Sequence, residues 1–215
     1  MKKIFNLEII TSIVCFLVFV LLIILLKTVD VSAIGPQNSL VGLSTLNKMV
    51  RDAIGYNDFW YNLTEIFGYV AILVALAFGV LGFYQLIKGK SFKKVDKNLY
   101  VLLGIYLLVG ITYVFFEKVI INYRPLLNEE LEASFPSSHT LLVLCILGTG
   151  IIQSDYIITD KKINIAVKII AFTIMLFTVI GRMLAGVHWF SDIVGGIVIS
   201  ASYIALFSGI VKKLN

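Results

Sequence analysis

Apolar residues in this chain come in long unbroken runs rather than in the stripes of an amphipathic soluble helix or the alternation of a half-buried strand. Six runs stand out: Ile9 to Leu26, Phe67 to Ile87, Leu99 to Phe116, Thr140 to Ile152, Ile163 to Ile180 and Ile193 to Val211. A bilayer's hydrocarbon core is roughly 30 Å thick and a helix rises about 1.5 Å per residue, so about 20 such residues are needed to cross it. The fourth run is short, and it spans only if its helix also takes in polar residues at one or both ends. The pattern predicts an all-α, polytopic membrane protein: a six-transmembrane-helix bundle forming one integral-membrane domain over residues 1–215.

Between the first and second runs lies a more polar stretch, Thr28 to Ile66. Within it Leu43, Leu46, Met49, Val50 and Ile54 recur at helical spacing, followed by Tyr56, Phe59, Trp60 and Tyr61. This predicts an outer amphipathic loop helix and an aromatic belt in the headgroup layer. A lid packed on the bundle is the plainer reading, and guidance of a lipid substrate the sharper one. Asn62-Leu63-Thr64 also matches a glycosylation acceptor, a pattern short enough to recur by chance.

Composition agrees with the run lengths. Hydrophobic residues make up 59% of the chain and charged residues 14%, with a mean hydropathy of +0.97, which leaves too little polar surface to cover a soluble globule. Cys15 and Cys145 sit inside apolar runs as packing residues and do not form a secreted disulfide framework. The net charge of +5 resolves once basic residues are sorted by loop. With the N-terminus inside, twelve of the 18 face the cytoplasm: Lys2, Lys3, Lys88, Lys90, Lys93, Lys94, Lys97, Lys161, Lys162, Lys168, Lys212 and Lys213. The excess of cytoplasmic lysine predicts a plasma-membrane protein with both termini in the cytoplasm. The run Lys88 to Lys97 reads as a topological anchor on anionic lipid and not as a nucleic-acid site. Lys2, Lys3 and the Val31-Ser32-Ala33 triplet also fit a cleaved signal peptide, but the apolar run exceeds the roughly 7 to 15 residues usual there, which favours an uncleaved anchor.

Only two histidines exist, His139 and His188, and both fall at the outer ends of spans. His139 closes Pro136-Ser137-Ser138-His139 just before an apolar run, where free backbone N–H groups at a helix start favour an anion. His188 lies four residues before Asp192, so in a helix the carboxylate shares its face and holds the imidazole in one tautomer. Arg182 lies about two turns earlier, and Arg124-Pro125 brings a second guanidinium from another loop. Arginines at a membrane boundary need a partner, and two converging on one face call for an anion.

These residues resemble the type 2 phosphatidic-acid phosphatase family, the lipid phosphate phosphatases. That family's motifs are a lysine followed after six residues by Arg-Pro, then Pro-Ser-Gly-His, then Ser-Arg with a histidine after five residues and an aspartate after three more. Here they are represented by Arg124-Pro125, by Pro136 to His139 with Ser138 in the glycine place, and by Arg182, His188 and Asp192 with Gly181 in the serine place. The lysine position holds Glu117, and Lys118 is one residue too close; either the helix end shifts so that Lys118 still reaches the phosphate, or that cation is missing. The gap between Pro125 and Pro136 is slightly short for the family.

The resemblance implies a lipid phosphatase, a bacterial undecaprenyl-diphosphatase or phosphatidylglycerophosphatase-like member. His188 would attack phosphorus to form a phosphohistidine, Asp192 would orient it, and His139 would protonate the leaving oxygen. Arg124, Arg182, Ser137, Ser138 and Lys118 would hold the phosphate oxygens. Such chemistry needs no metal or other cofactor, and activity is expected to survive a chelator. The acidic cluster Glu129, Glu130 and Glu132 reads as a solvated loop. The implied partner is a membrane lipid in the bilayer, met on the extracytoplasmic face, with no nucleic acid; the oligomeric state is unknown from sequence. Undecaprenyl diphosphate is the favoured substrate, with phosphatidylglycerophosphate or phosphatidic acid as the alternatives. Readings from other classes are an inactive membrane scaffold, if Glu117 disables the site, and a transporter, which would need more polar residues deep in the spans than Lys168. A haloperoxidase shares the anion pocket, but those enzymes are mainly soluble and larger.

Overall fold

A computed structural model describes residues 6–126 and 130–214. Lys2, Lys3 and Glu129 lie outside the described residues. Seven α-helices are present among the described residues: α1 (Leu7–Thr28), α2 (Ser44–Ile54), α3 (Asp58–Gly89), α4 (Lys97–Lys118), α5 (Ser138–Ile157), α6 (Lys161–Ala185) and α7 (Phe190–Leu214). All but α2 are long and apolar enough to cross a membrane, which makes this an integral multi-pass membrane protein.

Polar residues at the helix starts set the boundaries. The side chains of Asn6, Asn57, Asp96, Ser137 and Asp160 each accept a backbone N–H in the first turn of α1, α3, α4, α5 and α6. The Asn57 cap starts α3 nine residues before the apolar run at Phe67, so Phe59, Trp60 and Tyr61 belong to a spanning helix and not to a loop belt. The same extension buries Thr64, whose hydroxyl donates to the Trp60 and Tyr61 carbonyls, and this corrects the reading of Asn62-Leu63-Thr64 as a loop acceptor. The short fourth run reaches spanning length because α5 incorporates Ser138 and His139 at one end and Gln153 to Ile157 at the other. The amphipathic helix expected in the outer loop is α2.

α5 is the centre of the bundle. Of its most apolar window 61% is buried, against 44% or less in every other span, and it packs on α3, α4, α6 and α7. Close approach is possible where glycine replaces a side chain: a Cβ at Gly148 would lie 2.4 Å from Ile204 of α7, and one at Gly196 of α7 would lie 2.8 Å from Thr140. Gly79 and Gly104, by contrast, meet nothing within 4 Å and are exposed on the outer faces of α3 and α4. α1 packs along α7, with the hydroxyls of Ser12 and Ser202 3.3 Å apart and the Asn6 amide donating to the Gly209 carbonyl at 2.9 Å. Higher on the same helix, Phe19 stacks on Phe135 with ring centres 5.6 Å apart, so α1 props the segment leading into α5.

Contacts between helix ends fix the polarity of the bundle. One end carries Lys212 with Glu8, Asp96 with Gln85, and the 2.5 Å pair of Lys168 with Asp155. The other end gathers the starts of α3, α5 and α7 with the finishes of α1, α4 and α6, and both histidines lie there.

Candidate active site

The segment between α4 and α5 is the first part of the site to be fixed. Its two arms pair as a minimal antiparallel ladder: Ser134 N–H donates to the Asn122 carbonyl at 2.9 Å, and Arg124 N–H to the Glu132 carbonyl at 3.0 Å. Lys27, at the end of α1, donates to the carbonyls of Ile120 and Ile121 at 3.0 and 3.1 Å, and the Trp189 indole donates to the Tyr123 carbonyl at 2.7 Å. These ties hold Arg124 and Ser134 over the start of α7. The Arg124 guanidinium pairs with Glu132 at 3.0 Å, which corrects the reading of that acid as merely solvated. Its Nε is buried without a hydrogen-bond partner among the described residues.

His188 and Asp192 are both buried, but their contact is less direct than a shared helical face implies. Gly186, at φ 68°, ends α6 in the left-handed region, and α7 begins only at Phe190, so His188 lies in the connecting turn. His188 Nδ1 lies 3.9 Å from Asp192 Oδ2, whereas it is 3.1 Å from the Ser134 carbonyl and 3.2 Å from the Ser134 hydroxyl. Ser134 in turn donates a short hydrogen bond to Asp192, and the carboxylate also accepts from the Asn122 amide at 3.1 Å and the Trp189 N–H at 2.9 Å. Ser134 thus bridges the imidazole and the carboxylate and sets the ring's direction.

On the far side of the ring, Arg182 NH2 lies 3.3 Å from His188 Nε2. Arg182 has 0% exposure, and its NH1 donates to Thr64 at 3.2 Å and to Glu65 at 3.1 Å. Its Nε is buried, with no hydrogen-bond partner among the described residues. At Gly181, the family's serine position, a Cβ would meet the Thr64 methyl at 2.6 Å, so α3 packs directly where that side chain would stand. Glu65 also reaches His139, with Oε2 3.1 Å from Nε2.

The remaining sequence-based candidates divide. Ser137 caps α5, but its own N–H donates to the Asp192 carbonyl at 2.9 Å and is not free for an anion, contrary to expectation. Among the described residues, the N–H groups of Ser138 and His139 have no backbone acceptor, which leaves those two at the mouth of the helix. Lys118 is exposed, and its side chain makes no hydrogen bond or ion pair among the described residues. Glu117 instead lines the small cavity shared with Ser134, Pro136, Ser138 and His188.

Burial holds the His188 imidazole well below its ordinary value of 6.5, and the positive charges of Arg182 and Arg124 and the neighbouring His139 push the same way. The ring is therefore neutral at pH 6.5, and its lone pair stays available below that pH. The acid limb that His188 contributes to kcat/KM is expected below pH 6.5 once the substrate's own ionisation is divided out; a limb at or above that value would contradict the burial. Because the unfolded chain protonates this histidine near its ordinary value while the folded chain does not, the same burial lowers stability as pH falls below 6.5.

Sequence reading missed Glu65, Thr64, Ser134 and Asn122. Glu65 stands just before an apolar run, where an acid reads as a loop residue, and the available signal was that it precedes the run by only two positions. Ser134, two residues before the Pro136 motif, carried no periodic or motif signal.

A buried arginine is thus set against a neutral imidazole at one end of a polytopic helical bundle. Residues 98–215 match the PAP2 superfamily, and the chain belongs to that superfamily. It is similar in fold to the crystal structure of a transmembrane PAP2-type phosphatidylglycerolphosphate phosphatase from Bacillus subtilis, with a TM-score of 0.66 at 18% identity, over 95% of this chain and 98% of that one. No curated protein matches the sequence significantly.

Proposed function

We propose that the whole chain is one metal-independent lipid phosphatase unit that removes phosphate from an amphiphilic lipid through a phosphohistidine on His188. The observation that carries this reading is adjacency: Glu65 and His139 line a cleft of about 250 Å³ between α3, α4 and α5 that also takes in Ile72, Val109 and Leu142, and this cleft shares Tyr113, Ser138 and Leu141 with the small cavity that His188 lines. A phosphate at the head of that cleft and an apolar chain along it describe a membrane amphiphile.

In the reaction, His188 Nε2 forms a bond to phosphorus as the bond to the lipid oxygen breaks, with Ser134 and Asp192 holding the ring from its other nitrogen. Arg182 turns NH2 from the imidazole to the phosphate oxygens, and Arg124 and the first-turn N–H groups of α5 complete the cradle. His139 protonates the leaving oxygen. Water then cleaves the phosphohistidine and releases phosphate. Lys118 would join the cradle only by moving from its exposed position.

The lysine distribution supports cytoplasmic termini and a site on the extracytoplasmic face. That sidedness favours undecaprenyl diphosphate, a carrier released on that face. Phosphatidylglycerol phosphate is the second reading, favoured by the fold neighbour's own substrate. The test is phosphate release by purified protein from undecaprenyl diphosphate, phosphatidylglycerol phosphate and phosphatidic acid in one detergent, with and without EDTA. Turnover of at least one lipid, unchanged by EDTA, is expected; loss of all turnover in EDTA contradicts the histidine mechanism.

A further inference from the structure

We propose that Glu65 of α3 is a positioning residue of the reaction, forming a dyad with His139 that fixes the proton donor. This rests on the reading of His139 as the group that protonates the leaving oxygen. Glu65 lies outside every motif that points to the family, yet its two carboxylate oxygens face two residues of those motifs: Oε1 accepts from Arg182 at 3.1 Å, and Oε2 lies 3.1 Å from His139 Nε2.

An independent feature of α3 points the same way. Gly68 is three residues on, on the same face of the helix. A Cβ there would lie 3.0 Å from His139 Cδ2 and 3.2 Å from Nε2. The imidazole thus lies against a bare stretch of helix, and only that close approach lets it reach the carboxylate one turn away. Thr64 completes the surface by accepting from Arg182 at 3.2 Å. Thr64, Glu65 and Gly68 together act as a fourth motif that α3 presents to the three on α4 to α7.

The chemistry follows from which ring nitrogen is engaged. Glu65 accepts the Nε2–H and so fixes the tautomer, while Nδ1 is buried with no hydrogen-bond partner among the described residues and remains as the nitrogen that exchanges a proton. His139 first takes a second proton, at Nδ1, from a lipid phosphate that binds as its monoanion. As His188 Nε2 bonds to phosphorus and the P–O bond breaks, the leaving oxygen takes the bonding pair and that Nδ1 proton, and the ring returns to its neutral Nε2–H form. The carboxylate accommodates the charge the ring carries before that transfer and gains no proton itself. Arg182 is held opposite His188 by the same carboxylate.

The test is Glu65→Gln, with kcat/KM measured on two substrates of the purified full chain: a lipid phosphate with an alkyl alcohol leaving group and an amphiphilic aryl phosphate whose nitrophenolate leaves without a proton. kcat/KM reports the step in which the leaving group departs. A general acid contributes roughly 10² to 10⁴-fold, so about 10²-fold loss is expected on the alkyl substrate and less than about 5-fold on the aryl one. Gly68→Ala, which displaces the ring and leaves the charge intact, is expected to show the same selectivity. In a His139→Ala background Glu65→Gln should add no further loss. Equal losses on both substrates, no loss on either, or full additivity with His139→Ala each overturn the proposal. Wild-type turnover that survives His188→Ala would instead overturn the phosphatase mechanism on which it rests.

Discussion

Replacement of His188 by alanine is expected to lower phosphate release by about 10⁴-fold or more, the scale of loss seen when a nucleophile is removed from a concerted site. The side chain is 1% exposed and has Arg182 on one nitrogen and Ser134 on the other, so no neighbouring group is placed to take over its attack. The fold is expected to persist, because Asp192 keeps its donors Asn122, Ser134 and the Trp189 N–H. A base-quenched reaction of the wild-type protein with labelled lipid should carry acid-labile, base-stable phosphate on the chain, and the variant should carry none. Normal turnover by a folded variant would remove His188 from the mechanism. Absence of turnover in the wild type as well as the variant would instead restore the inactive-scaffold reading.

The fold was legible because run length alone measures a membrane span. What the runs concealed was where the spans end. The first nine residues of α3 include Asn62, Thr64 and Glu65, which break the apolar run, yet they remain helical at the bundle end because Asn57 caps them. The partners of Thr64 and Glu65, His139 and the buried Arg182, lie on α5 and α6, far along the chain. No local pattern contains that information. The motif spacing from Arg182 to Asp192 did place those residues together, since each turn of the chain carries the next residue toward the same pocket.

The relation of His188 to Asp192 was less legible, and Gly186 is the reason. Its left-handed conformation breaks the helix that a four-residue spacing assumes, and a Cβ there would lie 1.8 Å from the Gly55 carbonyl oxygen. The turn is therefore held by the loop before α3 as well as by its own sequence. Once it exists, Ser134 fills the space between imidazole and carboxylate, a role visible only when the ladder of Asn122 and Ser134 has formed.

Arg182→Ala is expected to damage both stability and catalysis. Arg182 is fully buried and simultaneously serves Thr64, Glu65 and His188. Removing one partner of a buried pair leaves the other uncompensated, at about 3–5 kcal/mol, so a marked fall in thermal stability in detergent is expected. The loss of a donor aimed at developing phosphate charge accounts for a further 10² to 10³-fold, roughly, in kcat. Arg182→Lys separates the two effects. An ammonium keeps the charge beside Glu65, so most of the stability should return. It lacks the planar fork that reaches Glu65 and His188 at once, so kcat should stay low and inhibition by vanadate should stay weak. Full activity in the lysine variant would show that charge alone suffices at this position. The geometry of the guanidinium predicts otherwise, because the two nitrogens that face Glu65 and His188 are held apart by a rigid group that no single ammonium reproduces.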